Sequence, residues 1–224
     1  MSKPRVYVFG PMGLDYKLMF LRNGFTGSNN PTSADLLCLT GGADVCPSLY
    51  AEKTLPKTGC SIDRDKADIE ITEMFLDKNL PMVGICRGGQ FLNVLCGGKM
   101  WQDVDRHGRY EGHDLIDLET GEAIKVSSTH HQMMRPTLEA TIVATANEST
   151  KKVAANDWWM ANVSVAEGGQ MPKGYVATEL FDTEVCYYAS KKALCFQPHP
   201  EYKGWEACEK YFFEVLKRHL DIAA

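Results

Sequence analysis

The stretch Pro81-Met82-Val83-Gly84-Ile85-Cys86-Arg87-Gly88-Gly89-Gln90 decides how the rest of the chain is read. Pro81 punctuates the start of a short apolar run, Met82–Ile85, that reads as a buried strand. Beyond Cys86 the period changes, and Phe91, Leu92, Val94 and Leu95 give an apolar face at helical spacing. A cysteine at the hinge between strand and helix, with glycine two residues to either side, is the thiol form of the G-x-S-x-G nucleophile elbow. The bend is too tight for side chains where strand and helix nearly touch, and Gly84 and Gly88 meet that need. Such a turn aims the Cys86 thiol toward solvent at a helix N-terminus. There the partial positive charge favours thiolate, the reactive form. The competing reading is a buried structural cysteine at close strand–helix packing.

Gln197-Pro198-His199-Pro200-Glu201 is the second informative stretch. Its two prolines exclude helix and hold the backbone extended. In an extended segment alternate residues share a side, so His199 and Glu201 can lie on one face, with the carboxylate orienting the imidazole. A thiol, an imidazole in reach and a carboxylate behind it make up a nucleophile, base and orienter. For a lone histidine, a satisfied surface position in a turn is the better reading; a cysteine elbow in the same chain shifts the balance toward chemistry.

Between these stretches the chain alternates. Val6-Tyr7-Val8-Phe9 is a fully apolar strand, 14–22 a short helix stopped at Asn23-Gly24, and 35–39 a second buried strand. Helix 62–79 follows, with Ile69, Met74, Phe75 and Leu80 expected inside and Arg64, Asp65, Glu70 and Asp77 outside. Then come the strand and helix (87–96) of the elbow. Strands alternating with helices predict a mostly parallel sheet covered on both faces. Past Gly97-Gly98 the character shifts. Segments 113–118 and 122–126 flank Glu119-Thr120-Gly121 as a hairpin, and 141–146, 175–181 and 185–189 are further strands. This half predicts an antiparallel extension of the same α/β domain. Segment 147–174 is its least legible part, with Trp158-Trp159 read as core or pocket wall. An amphipathic helix over 203–220 closes the chain, with Trp205, Tyr211, Phe212, Val215 and Leu216 inward.

Length and composition set the outer bounds. A chain of 224 residues can bury a substantial core, and without repeats or linkers it is expected to form one domain over 1–224. Hydrophobic residues at 44% and charged residues at 24% are ordinary for a soluble globular protein. A net charge of −5 with no dense basic patch argues against nucleic acid as a partner. The first apolar run is too short for a signal-peptide core and no later one approaches a membrane span, so no membrane association is expected. The eight cysteines are scattered without a C-x-x-C pair or metal-ligand spacing. Cys38 and Cys195 sit in apolar runs and read as small buried hydrophobes in a reducing, cytoplasmic setting. His107 and His113 read as polar-loop residues, His219 as a helix-end residue, and no metal or cofactor is expected.

The two stretches together resemble the class I (triad) glutamine amidotransferase superfamily. Three further segments look closest to its γ-glutamyl-γ-aminobutyrate hydrolase and γ-glutamyl hydrolase branch. These are Gly41-Gly42-Ala43-Asp44-Val45-Cys46-Pro47-Ser48-Leu49-Tyr50, the run from Cys86 through Gly97-Gly98 to Gln102-Asp103, and His130-His131-Gln132. The likeness covers about residues 36–135 and 193–203. It implies a flavodoxin-like α/β core, with Cys86 as nucleophile, His199 as base and then acid, and Glu201 as orienter. It also implies attack on a γ-glutamyl carbonyl, release of ammonia or an amine, and a glutamyl thioester cleaved by water. The oxyanion donors by analogy are the backbone amides of Gly42 and Arg87. Gln90, His131 and Gln132 would contact the γ-glutamyl substrate, and His130 and His131 cannot both face it if the segment is extended. Only about 30 residues separate the first strand from Gly41-Gly42, so part of the family's first helix or second strand is expected to be reduced. Two alternatives stay open: a glutaminase subunit passing ammonia to a separate synthetase, since no G-x-x-x-x-G-K-[ST] loop is present, and a non-catalytic regulatory relative.

Overall fold

The structure is a computed structural model that describes residues 3–147, 150, 152–154 and 182–222. The first half holds β1 (Arg5–Phe9), α1 (Gly13–Arg22), β2 (Thr26–Gly27), β3 (Leu36–Leu39), α2 (Ile62–Asp77), β4 (Met82–Ile85) and α3 (Arg87–Leu95). There follow β5 (Lys99–Trp101), β6 (Asp103–Val104), β7 (Gly108–Asp117), β8 (Ala123–Thr129), β9 (Met133–Arg135), β10 (Thr141–Ala146) and β11 (Lys152–Val153). The last described elements are β12 (Thr183–Tyr188), β13 (Ala193–Phe196) and α4 (Glu206–Leu220).

A nine-stranded sheet runs in the order β2-β1-β3-β4-β13-β12-β10-β7-β8. From β2 to β13 every pairing is parallel, and from β13 to β8 every pairing is antiparallel. The α/β sheet and its antiparallel extension thus follow the expectation from the sequence. Buried parallel strands read as unbroken apolar runs because both faces are covered. β3 divides its side chains by the two-residue period: Leu36 and Cys38 pack with α1 and α4, through Phe20 and Phe212. Leu37 and Leu39 pack on the other face with Phe75 of α2 and Phe91 of α3. β2 is only two residues long.

Several expectations need correction. Asp65, expected outside, is buried at 3% exposure, and Arg64 is half-buried. The Arg87 side chain explains both, since it pairs with Asp65 and Asp68 at the sheet surface, while Arg64 Nε donates to Asp68 Oδ1 at 2.8 Å. Buried charge is tolerated only when paired, so α2 turns its charged stripe inward. The scattered cysteines are not all unpaired as a reducing setting implies; Cys46 and Cys60 form a disulfide, Cα atoms 5.0 Å apart. His107 and His113 are buried rather than in a polar loop, and α4 begins at Glu206, after the predicted start. Strands β5, β6, β9 and β11 were not foreseen. The 175–181 strand and Trp158-Trp159 lie outside the described residues. Among the described residues no helix is long and apolar enough to cross a membrane.

Candidate active site

β4 and β13 lie side by side in parallel register, with Ile85 opposite Phe196. Both therefore release their next residues at the same carboxyl edge of the sheet, where open α/β sheets place their ligands. From one comes Cys86, from the other Gln197-Pro198-His199. The Cys86 amide donates to the Phe196 carbonyl at 2.7 Å and ties the elbow to the neighbouring strand.

Cys86 sits at φ 52° and ψ −114°, a backbone region that L-residues seldom adopt. Strain of this kind costs on the order of 1–3 kcal/mol and persists where the surroundings over-determine it. They do so here. A Cβ on Gly84 would run into the backbone of Gly88, and one on Gly88 into the Leu39 carbonyl. The thiol does not project into open solvent as the sequence suggested. Cys86 is 8% exposed, at the floor of a cavity of about 320 Å³.

His199 is held from several sides. Its Nδ1 lies 2.6 Å from Glu201 Oε1, which leaves Nε2 as the ring nitrogen free to serve a thiol. Burial of the ring opposes its charge. Cys86 and the carboxylate of Glu201 outweigh that and hold the imidazole pKa well above the ordinary histidine range. Tyr202 stacks on the ring, centroids 4.5 Å apart and planes within 5° of parallel. The Tyr16 hydroxyl stands 3.5 Å from Nδ1 and accepts the Gly41 amide at 3.0 Å. Ser127 of β8 clasps the His199 backbone.

Gly42, Cys86, Arg87, Gln90, His131 and Gln132 all line the same cavity. Gln90 donates to the Gln132 carbonyl and to Gln197 Oε1, each at 3.2 Å, so its amide braces the wall. Gln132 donates to Thr58 Oγ1 at 3.2 Å. His131 stands at the rim with Nε2 3.2 Å from Asp44 Oδ1; that carboxylate raises the imidazole pKa. His130 also lines the cavity, while its Nε2 lies 3.6 Å from Glu184 Oε1. Burial lowers the Arg87 guanidinium to about 10, with Arg64 adding to the effect. Tyr16, Ser127 and Tyr202 were not singled out from the sequence. They come from other elements, and no local pattern marks them.

The Peptidase C26 family model matches residues 31–157, more than half of the chain. This chain belongs to the Peptidase C26 family. It stands within the class I glutamine amidotransferase superfamily, as the glutamine amidotransferase-like relatives and structural neighbours agree. The Peptidase C26 match ends before His199 and Glu201. The glutamine amidotransferase-like protein YvdE of Lactococcus lactis is 42% identical over 79 residues, 35% of this chain and 34% of that protein. The carbamoyl phosphate synthase small chain of Thermotoga maritima is 26% identical over 156 residues, 67% of this chain and 39% of its own length. The aligned part thus spans between a third and two-fifths of these curated relatives. A chain of the PurLQS structure from Thermotoga maritima shares the fold at TM-score 0.61 and 19% identity, covering 97% of this chain and 99% of that one.

Proposed function

We propose that this Peptidase C26 protein hydrolyses a γ-glutamyl amide bond, in glutamine or in a γ-glutamyl amine or peptide, within a single domain over 1–224. The observation that carries this reading is Cys86 at the wall of a polar cavity, at the end of the strand paired with the one that leads to the His199–Glu201 pair. Cys86 as thiolate attacks the γ-carbonyl. The amides of Gly42 and Arg87 receive the oxyanion, an interaction whose loss typically costs on the order of 100-fold or more in rate. His199, held protonated, gives its proton to the leaving ammonia or amine. It then takes one from the water that cleaves the glutamyl thioester. Glu201 keeps the ring in the tautomer that presents Nε2 to sulfur. Gln90, His131 and Gln132 form the wall against the glutamyl group.

The test is turnover of glutamine and of γ-glutamyl-γ-aminobutyrate by the purified chain alone. Release of glutamate from either, abolished in Cys86→Ala, supports the proposal; complete inertness toward both and toward a glutamine-analogue thiol label argues for a regulatory relative. A second reading has its own observation, the likeness to a carbamoyl phosphate synthase small chain. On it, the chain feeds ammonia to a synthetase subunit, and weak glutaminase activity rises when that partner is added.

A further inference from the structure

Behind the cavity wall, three imidazoles from different segments converge on one carboxylate. His107 Nδ1 and His113 Nε2 each lie 3.3 Å from Glu184 Oε1, and His130 Nε2 lies 3.6 Å from it. The four residues are at most 5% exposed. Despite the distances, none of these contacts is aligned as a hydrogen bond: the three nitrogens and both Glu184 oxygens lack a hydrogen-bond partner. Groups this deeply buried are ordinarily paired, so a cluster left this way asks for a cause.

Tautomers sharpen the question. His107 Nε2 faces Asp182 Oδ2 at 3.0 Å, and His130 Nδ1 faces the Gln132 carbonyl at 2.9 Å. Both partners are acceptors, so both of those nitrogens carry hydrogen. In the neutral ring the opposite nitrogen then presents a bare lone pair to a carboxylate oxygen. That is repulsive unless a positive charge lies between them. Ligands placed tetrahedrally about 2.0–2.1 Å from a zinc ion stand about 3.3–3.4 Å from each other. The His107 and His113 spacings to Glu184, 3.3 Å each, fall there, and His130 at 3.6 Å stands slightly farther out. The pair His107–Asp182 also has the form of the outer support that metal-bound histidines receive, a carboxylate accepting the remote N–H. Asp182 is itself anchored by Thr150 Oγ1 at 2.6 Å and by Lys152.

We propose that His107, His113 and Glu184, with His130 as a fourth ligand, form a buried structural site for a divalent transition ion of zinc type. Among the described residues, the ligand atoms of the first three lie within 4.8 Å of one another. The ion would join β7, β12 and the segment that follows β8. It would fix His131 and Gln132 at the cavity by gripping their neighbour His130.

The test uses the full chain carrying Cys86→Ala, so that the reactive thiol captures no metal, refolded with Zn²⁺ or with a chelator. The expected result is about one zinc per chain surviving gel filtration, a higher Tm in the zinc sample, and tetrahedral-type visible bands after Co²⁺ substitution. In the same background His113→Gln loses the metal, Asp182→Asn weakens Zn²⁺ affinity about 10–100-fold, and His131→Gln keeps it. Should His113→Gln fail to fold, the zinc content, the Co²⁺ spectrum and the chelator effect on the parent decide the matter. A parent that holds under about a tenth of an equivalent, with equal Tm in zinc and chelator, overturns the proposal. The cluster is then a buried imidazolium–carboxylate network.

Discussion

Ser127 grips both backbone polar groups of His199: its Oγ accepts the His199 amide at 2.7 Å and donates to the His199 carbonyl at 3.2 Å. One hydroxyl on the antiparallel half thus fixes the residue proposed to serve the thiol on the parallel half. Ser127→Ala removes both bonds and leaves a buried amide and carbonyl unpaired, at a cost of about 1–3 kcal/mol. The expected outcome is a lower kcat with little change in KM, checked by steady-state kinetics beside a thermal melt. Unaltered kcat in a destabilised variant would show that the clasp serves folding alone.

Cys86→Ala should abolish turnover and keep the fold. Cys38→Ala should act on stability instead, because Cys38 is fully buried in the sheet core. The elbow adds a finer comparison. Glycine accepts a positive φ that alanine resists, so Cys86→Gly should melt above Cys86→Ala, by about 1 kcal/mol of relieved strain. Equal melting points would mean that the bend carries no strain.

The pH profile reports on His199. Cys86 and Glu201 favour its charged form against the cost of burial, so its proton is lost well above the usual histidine range. The rate should therefore hold through neutrality and fall only on the alkaline side, as the acid that protonates the leaving group disappears. Glu201→Gln removes a negative charge, lowers the imidazole pKa and shifts that fall toward neutrality. Its loss of rate should be smaller than that of Cys86→Ala. An alkaline limb that stays in place would remove Glu201 from the orienting role.

Asp117 gives the clearest acid dependence of stability. Burial opposes its charge, but Tyr211, the Thr120 and Glu119 amides and Arg218 together hold its carboxyl below the usual range. A depressed folded-state pKa contributes stability that is present above the unfolded value and lost as pH falls through the folded one. Asp117→Asn should cost about 1.5–3 kcal/mol at neutral pH. It should also flatten the decline of Tm on acidification, which melts at stepped pH would reveal.

Much of the fold is legible because its signals are local. The apolar runs at β1, β3, β4 and β13 mark buried strands, and the glycines around Cys86 mark a bend with a steric need. The candidate site is legible only in part. Cys86, His199 and Glu201 carry their reading in two short motifs, whereas Tyr16, Ser127 and Tyr202 reach His199 from elements whose positions follow from tertiary packing. Asp65 and Arg64 misled for a related reason: charge on a helix reads as solvent-facing until Arg87 turns up across the interface. The Cys46–Cys60 pairing cannot be deduced from spacing among eight scattered cysteines. Two-residue strands such as β6 and β11 are too short to leave a period.

β13 is late in the chain yet sits mid-sheet, between β4 and β12. While a nascent chain lacks it, the apolar flank of β4 has no neighbour on that side, an edge of the kind that invites mispairing between molecules. Synthesis through residue 196 must precede closure of the sheet between β4 and β12, and on the proposed mechanism the same event brings the imidazole to the sulfur. Premature termination before residue 193 should thus yield insoluble, inert protein rather than a weakened hydrolase. Assembly and activity arrive together.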